Sequence, residues 1–326
     1  MSQQRTIGSS FVYTNTAEEV AQGVDLHGKN AIVTGGYSGI GLDTVRIFLK
    51  QGAQVFVPAR DVERAKKALA DFGVTAAIVE YLDLSKPETI AAYAKSFLAR
   101  DIPLHILVNS AGIMATLNLQ LNEKGFEGQF ATNHLGHFQL TVLLKPALVK
   151  ARGARVVSVA SMGHRFSGVD FADINFKSRP YDPIAAYGQS KTANILFALE
   201  LDKRWRQHHI RAFSLHPGAV TDTNLANHIT LDFWAKYNTL DAEGKPIQFP
   251  DAKTVPQGAS TSVFAAVSPK LEGLGGLYLE NNDVTFPVGD AELKPQAYGI
   301  APHALDSEAA SKLWAISEEW AGVKDL

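Results

Sequence analysis

Thr34-Gly35-Gly36-Tyr37-Ser38-Gly39-Ile40-Gly41 comes after the apolar run Ala31-Ile32-Val33 and opens an amphipathic stretch. The order reads as a buried strand, a tight turn and the start of a helix. Such a turn cradles the phosphates of a nucleotide. Glycine at 35 permits the turn, and glycines at 39 and 41 admit a pyrophosphate to the backbone and let the helix pack closely on the strand. Glycines between a strand and a helix are also ordinary turn residues, so the weight of this reading depends on the rest of the chain.

Downstream of the loop the chain alternates regularly. The β-rich runs at 30–34, 54–58, 75–81, 104–108, 155–159, 212–216 and 276–279 are predicted strands. Helical patterns run from the glycine loop to Gln51 and over 61–72, 87–100, 131–150 and 185–207, with a C-terminal helical segment at 306–320. Apolar strands without clean alternation suit a parallel sheet covered on both faces. The predicted fold is therefore α/β, a Rossmann-like doubly wound parallel sheet with helices on both faces, which binds ligands outside the carboxyl ends of its strands. Residues 1–27 are polar, with a short helical pattern at 17–22, and read as an N-terminal arm that is either packed on a neighbouring subunit or mobile. Residues 28–326 read as one domain. Within it the stretch 224–256, with Phe233, Trp234 and Tyr237 beside Gly244, Pro246 and Pro250, breaks the alternation and reads as an insertion or substrate lid. Phe233 and Trp234 equally suit packing positions.

The chain has 326 residues, 46% of them hydrophobic, and a formal charge of −2, which provides for a buried core and no charge excess aimed at nucleic acid or anionic lipid. It contains no cysteine, which excludes disulfides, thiolate nucleophiles and Cys-ligated metal and fits a reducing compartment. Residues 1–23 lack an apolar signal core, and no window of about eighteen apolar residues occurs. A soluble cytoplasmic protein without nucleic-acid or membrane partners is expected.

Tyr187 and Lys191 stand four apart on a helical pattern, so both side chains leave one face about a turn apart. A nearby ammonium favours the phenolate and brings a phenol of ordinary pKa about 10 toward the working pH. Tyr187 then serves as acid toward a carbonyl oxygen, or as base toward an alcohol. Ser161 ends Arg155-Val-Val-Ser-Val-Ala-Ser161, which puts its hydroxyl at the mouth of a strand, and no G-x-S-x-G elbow surrounds it. Ser158 competes, but three residues earlier it falls within the strand. His164 either lines the pocket or is structural.

Taken together, Thr34-Gly-x-x-x-Gly-x-Gly41, Asp83, Asn109-Ser-Ala-Gly112, Asn133, Ser161, Tyr187-x-x-x-Lys191 and Pro217-Gly218 resemble the short-chain dehydrogenase/reductase family over about residues 29–280. The three residues between the first two glycines of the loop match its single-domain reductase branch. Asn-His-Leu-Gly-His-Phe at 133–138 and Leu-His-Pro-Gly at 215–218 are similar to its retinol-dehydrogenase-like and protochlorophyllide-reductase-like group. The resemblance implies a catalytic tetrad of Asn133, Ser161, Tyr187 and Lys191. In it Lys191 also grips the cofactor ribose, Ser161 positions the substrate oxygen, and Asn133 kinks its helix and holds a water on the lysine.

The resemblance further implies dinucleotide contacts from Gly35, Tyr37, Ser38, Gly39, Ile40 and Gly41, from Asp83 and Leu84 at the adenine, and from Asn109, Ala111 and Gly112 at the ribose. Pro217, Gly218 and Val220 would meet the nicotinamide together with a threonine. The family places that threonine five residues after the proline, where this chain has Asp222. A one-residue insertion makes Thr223 the equivalent, and Thr221 is the alternative. After the second strand, Ala59 stands where NAD sites carry an acid, and Arg60 offers a planar fork to a 2′-phosphate, which favours NADP over NAD. The competing reading pairs Arg60 with Asp61 or Glu63. His134 and His137 lack an accompanying acidic or thiolate ligand, so no metal is expected.

The expected reaction is hydride transfer between NADP(H) and a carbonyl or secondary alcohol, with a bulky or apolar substrate under the lid. Reduction of a C=C bond and a non-catalytic NADP-binding sensor are the alternatives. Family members often pair through the helices matching 131–150 and 185–207, so a homo-oligomer stays open, as does coverage of that face by the C-terminal segment.

Overall fold

The computed structural model describes residues 4–220, 222–236, 243–245, 251–289 and 298–325. Among them, eight strands form one sheet: β1 (Asn30–Val33), β2 (Gln54–Ala59), β3 (Ile78–Tyr81), β4 (Ile106–Asn109), β5 (Ala154–Val159), β6 (Ile210–His216), β7 (Leu277–Glu280) and β8 (Asp283–Val284). Their spatial order is β3-β2-β1-β4-β5-β6-β7-β8, parallel throughout except for the antiparallel pair β7–β8. The order reverses direction between β1 and β4, and the crevice outside the carboxyl ends of these two strands is where such sheets take their ligands.

In chain order the α-helices are α1 (Ala17–Val20), α2 (Gly39–Lys50), α3 (Val62–Asp71), α4 (Pro87–Leu98), α5 (Gly128–Phe130), α6 (Gly136–Leu143), α7 (Lys145–Lys150), α8 (Pro183–Trp205), α9 (Leu231–Lys236), α10 (Val255–Val267) and α11 (Ser307–Ala321). β1 and β4 are buried at every position because both sheet faces are covered. On one face Val45, Phe48 and Phe264 of α2 and α10 form a single apolar cluster with the strands. On the other, Phe97, Phe138, Phe197 and Trp314 of α4, α6, α8 and α11 form a second.

The helical pattern at 131–150 is broken. Residues Ala131–Leu135 form a π-helical turn, and α6 and α7 meet at Leu144, just before Pro146. A π-turn places one extra residue in the coil, which is how Asn133 reaches across to neighbouring segments, and proline is accommodated only in the first turn of the next helix.

The N-terminal arm packs on its own chain. Thr16 and Glu19 form a capping box on α1, and Ala17, Val20 and Ala21 enter the first apolar cluster. Farther out, the Gln4 amide donates to the carbonyls of Tyr278 (2.6 Å) and Thr285 (2.8 Å), and its oxygen accepts from the Tyr278 N–H (3.0 Å). Among the described residues between Asn224 and Val255 there are a short 3₁₀ turn (Asn224–Ala226) and α9, in which Phe233 is buried. Thr221, Tyr237, Pro246, Pro250 and the side chain of Trp234 lie outside the described residues.

Helix α11 lies across α8 and α6. Trp314 stacks on Phe197 (5.9 Å between ring centres) and meets Phe138 and Trp205 edge-on, while His134 Nε2 reaches Ser317 Oγ at 2.8 Å. The outer face of α6 and α8 is thus covered by the chain's own C-terminal helix. No helix among the described residues is long and apolar enough to cross a membrane.

Candidate active site

The glycine loop has the shape its composition predicts. Gly35 (φ 66°) and Gly39 (φ 49°) sit in the left-handed region, which side chains resist. A β-carbon on Gly35 would stand 2.9 Å from the Ala111 backbone, and one on Gly41 would stand 2.5 Å from the Gly35 carbonyl oxygen. The loop therefore packs directly on the turn after β4. Tyr37 and Ile40 pack against the apolar cluster, and Ser38 begins α2 with its hydroxyl making no capping bond. Opposite, the Thr223 methyl lies 3.2 Å from where a Gly39 β-carbon would be, so the segment after β6 closes over the loop. A close backbone turn, a helix N-terminus and glycines where a β-carbon would obstruct are what a dinucleotide pyrophosphate requires.

Four side chains converge beyond that loop. Tyr187 and Lys191 project from α8, with the ammonium 5.5 Å from the centre of the phenol ring, and both are buried. Burial pushes the Tyr187 phenol up to about 12, opposed by its hydrogen bond with the Ser161 hydroxyl. Burial also drives the Lys191 ammonium down to about 8. Desolvation thus outweighs the ammonium's expected lowering of the phenol. Lys191 Nζ donates to the Val159 carbonyl at 3.1 Å.

Ser161 comes after β5 and caps a 3₁₀ turn, Met162–Phe166, its oxygen accepting from the Gly163 N–H at 3.0 Å. Ser158 is buried within β5. Asn133, in the π-turn, accepts from the Ile113 N–H (2.8 Å) and donates to the Ile113 carbonyl (2.9 Å) and Ser190 Oγ (2.9 Å). A β-carbon on Gly112 would meet Asn133 Oδ1 at 3.2 Å and Lys191 Nζ at 3.5 Å, so Gly112 lies between the two.

The remaining expected residues lie at or just after the carboxyl ends of β3, β4 and β6. Asn109 ends β4 and donates to Thr141 Oγ1 (3.1 Å). Asp83 turns its carboxylate onto Ser85, accepting from its N–H and hydroxyl, and Leu84 is buried with its carbonyl against Gly136. Pro217 and Gly218 come directly after β6, and Val220 bridges to Lys253 and packs against Gly258. His164 is fully buried and does not line a pocket.

Three residues to which sequence reasoning assigns no role in the site belong to this region; of these only His137 enters that reasoning, as a candidate metal ligand. Gly163 faces Tyr187 so closely that a β-carbon there would stand 2.7 Å from its ring. His137 bridges Thr34 Oγ1 (2.8 Å) and the Asn133 carbonyl (2.9 Å). Arg64 joins Arg60 at the end of β2. Asp61 is used to cap α3 and Glu63 pairs with Lys66, so neither guanidinium has a side-chain partner among the described residues. Arg60 is exposed, and the pairing with Asp61 or Glu63 that the sequence allowed does not form.

A doubly wound sheet with a glycine turn at its switch point and a Ser-Tyr-Lys cluster beside it, the tyrosine and lysine buried, is the architecture of a dinucleotide-dependent oxidoreductase. Comparison with known proteins gives the same class. The family described as short chain dehydrogenase matches residues 29–232. The chain is 41% identical over 294 residues to a "Probable oxidoreductase" of Streptomyces lividans, covering 89% of this chain and 97% of that one. It is 34% identical over 316 residues to the human "WW domain-containing oxidoreductase", covering 94% of this chain and 71% of that one. A crystal structure of an uncharacterized protein from Mycobacterium paratuberculosis, 30% identical, superposes with a TM-score of 0.71 over 94% of this chain and 98% of that one. The chain belongs to the short-chain dehydrogenase/reductase family and is an NAD(P)-dependent oxidoreductase.

Proposed function

We propose that the protein is an NADP-dependent carbonyl reductase, or in reverse a secondary-alcohol dehydrogenase, with Tyr187 as its proton donor and acceptor. The observation that carries this reading is the convergence of three side chains: a β-carbon on Gly163 would meet both the Tyr187 ring (2.7 Å) and Ser161 Oγ (3.4 Å), and the buried Lys191 ammonium lies 5.5 Å from the centre of that ring. Two hydroxyls on one substrate oxygen orient it and stabilise the charge that develops there. Tyr187 delivers the proton in reduction and removes it in oxidation; Ser161 holds the oxygen; Lys191 stabilises the phenolate; Asn133 fixes the Ile113 backbone beside them. A bound nicotinamide dinucleotide supplies or accepts the hydride.

The cradle Gly35–Gly41, the turn Asn109–Gly112 and the loop Pro217–Val220 would hold that dinucleotide. The approach of Thr223 to Gly39 supports Thr223 as the threonine of that loop. Arg60 and Arg64 near the end of β2, with no side-chain partner among the described residues, and Ala59 in place of an acid support a 2′-phosphate and hence NADP. The segment 224–256 acts as a lid: His228 reaches the Ala115 carbonyl (3.3 Å) on the loop after β4. Exposed Leu117, Phe166 and Leu225 favour a bulky, apolar substrate.

The test is consumption of NADPH and of NADH, monitored by nicotinamide absorbance, against aldehydes, small ketones, aryl ketones, ketosteroids, retinal and activated enones. NADPH-dependent reduction of a bulky ketone is expected. Turnover confined to enones, or tight NADPH binding with no turnover, would reject carbonyl reduction.

A further inference from the structure

The turn that carries Ser161 is held from two sides. On the α8 side, the single Thr192 hydroxyl proton is shared between the carbonyls of His164 (3.0 Å) and Ser167 (2.7 Å). On the other side stands a segment after the last strand, 299–303, beyond the residues that match the family. His164 connects the two. Its Nε2 accepts from the Ala301 N–H at 3.1 Å; a backbone amide only donates, so the ring proton is on Nδ1, which donates to the Ser161 carbonyl at 2.7 Å. His303 Nε2 returns a hydrogen bond to the His164 carbonyl (2.9 Å), and Arg165 donates to the Gly299 carbonyl (2.6 Å). Glu280, at the end of β7, accepts from the Gly299 N–H (2.8 Å) and lies 3.7 Å from Arg165, which ties the segment to the sheet.

We propose that His164 is a positioning residue: a strut that transmits the placement of the C-terminal segment 299–303 to Ser161 and so sets where the substrate oxygen is held. A strut needs a fixed tautomer. Burial, with Arg165 and His303 nearby, drives the His164 imidazole down to about 3, so it stays neutral throughout the working range. Tyr278 meets the ring edge-on at 5.1 Å. His164 touches no substrate, being fully buried.

The inference rests on Ser161 orienting the substrate oxygen, and the experiment separates the two. NADPH turnover and alcohol-oxidation pH profiles are compared for wild type, S161A, H164L and the S161A/H164L double variant, with dinucleotide affinity measured for each. If His164 acts through Ser161, H164L lowers kcat by about a hundredfold, as S161A does, and leaves dinucleotide affinity within about twofold. Both variants move the ascending limb of the alcohol-oxidation profile to higher pH, because the Ser161 hydroxyl opposes the burial that raises the Tyr187 phenol; Lys191 is the charged neighbour facing that phenol. The double variant is no worse than S161A alone. If H164L does not fold, H164N keeps the donor toward Ser161 and H164Q the acceptor toward Ala301, and each is expected to fall between wild type and S161A. A half-strut with wild-type kcat, or losses that multiply in the double variant, overturns the proposal. Full activity in S161A removes the reading of Ser161 and this proposal together; an inactive S161A beside wild-type-like His164 variants removes this proposal alone.

Discussion

The Lys191 ammonium lies 5.5 Å from the centre of the Tyr187 ring, and burial acts on the two in opposite directions, holding the phenol protonated and weakening the ammonium's hold on its proton. At neutral pH both groups hold their protons, and the phenol carries the one that the proposed reduction delivers. Replacing Tyr187 with Phe removes that proton and keeps the ring. Turnover should fall by roughly a hundred- to ten-thousandfold, with NADPH affinity by fluorescence titration nearly unchanged. Substantial residual turnover would mean that the proton comes from elsewhere.

The buried ammonium also costs stability. The Lys191 pKa is depressed in the folded state from 10.5 to about 8. The unfolded chain therefore binds more protons between those values, and stability should rise with pH across that window. Lys191→Met removes the charge at similar volume, and the Val159 carbonyl still accepts from Asn194 Nδ2 (3.1 Å). The variant should be inactive yet more stable at neutral pH, by roughly 2 kcal/mol, with the gain fading toward pH 10.5. Denaturant melts across that range check this; a variant less stable than wild type at neutral pH would contradict it.

How much was legible in the sequence depended on whether a signal was local. Most of the seven parallel strands were readable because burial on both faces leaves continuous apolar runs such as Ala31-Ile32-Val33, although β3 at the sheet edge is only partly covered. β8 was not: two residues carry no periodicity, although Asn281 and Asn282, both at positive φ, mark the turn before it. The break in 131–150 was expected only by resemblance, since the π-turn depends on bonds from Asn133 to Ile113 and Ser190, far away in the chain. The Thr16/Glu19 capping box was a local signal for α1, but nothing local told that Gln4 would bind Tyr278. Tyr187, Lys191 and Ser161 were readable because strand ends and helical spacing fix where they point. Gly163 and His137 were not, because their partners come from elsewhere in the fold.

Gly163 gives a prediction that composition could not. A methyl group there would sit 2.7 Å from the Tyr187 ring, so the ring has to move. Gly163→Ala should lower kcat by roughly ten- to a hundredfold, since displacements of about an ångström at a reacting group cost that much. NADPH affinity should hold. Wild-type kcat would show that the turn yields instead of the tyrosine.

Arg60 and Arg64 flank the place where β2 ends, and the nearby carboxylates are already used. Arg60→Ala should weaken NADPH binding by roughly ten- to a hundredfold, the worth of a charge-assisted phosphate contact, and leave NADH binding unchanged. Arg64→Ala should act in the same direction and less strongly, being one turn farther into α3. Competitive titration with the two dinucleotides distinguishes this from a general loss of binding, and an unchanged NADPH to NADH ratio would dismiss both residues as phosphate readers.

His137 joins two parts of the site that no local signal connects. Thr34 Oγ1 accepts from the Ser110 (2.9 Å) and Ala111 (3.0 Å) N–H groups. It therefore has its own proton to give to His137 Nε2, leaving Nδ1 to donate to the Asn133 carbonyl. Thr34→Val and His137→Phe should each weaken dinucleotide binding by about tenfold, and the double variant should be little worse than either, because both break one chain of bonds. The imidazole adds a pH signature. Burial depresses His137 from 6.5 to about 4, so the unfolded chain takes up the proton first and stability is lost as pH falls from 6.5 toward 4. Phenylalanine binds no proton, so the variant's stability should fall less steeply over that range, by up to about 1.4 kcal/mol per pH unit. His134 and His164, depressed to about 3 for the same reason, keep the remaining slope. An unchanged slope would place a proton on His137 in the folded protein, where Nε2 could no longer accept from Thr34.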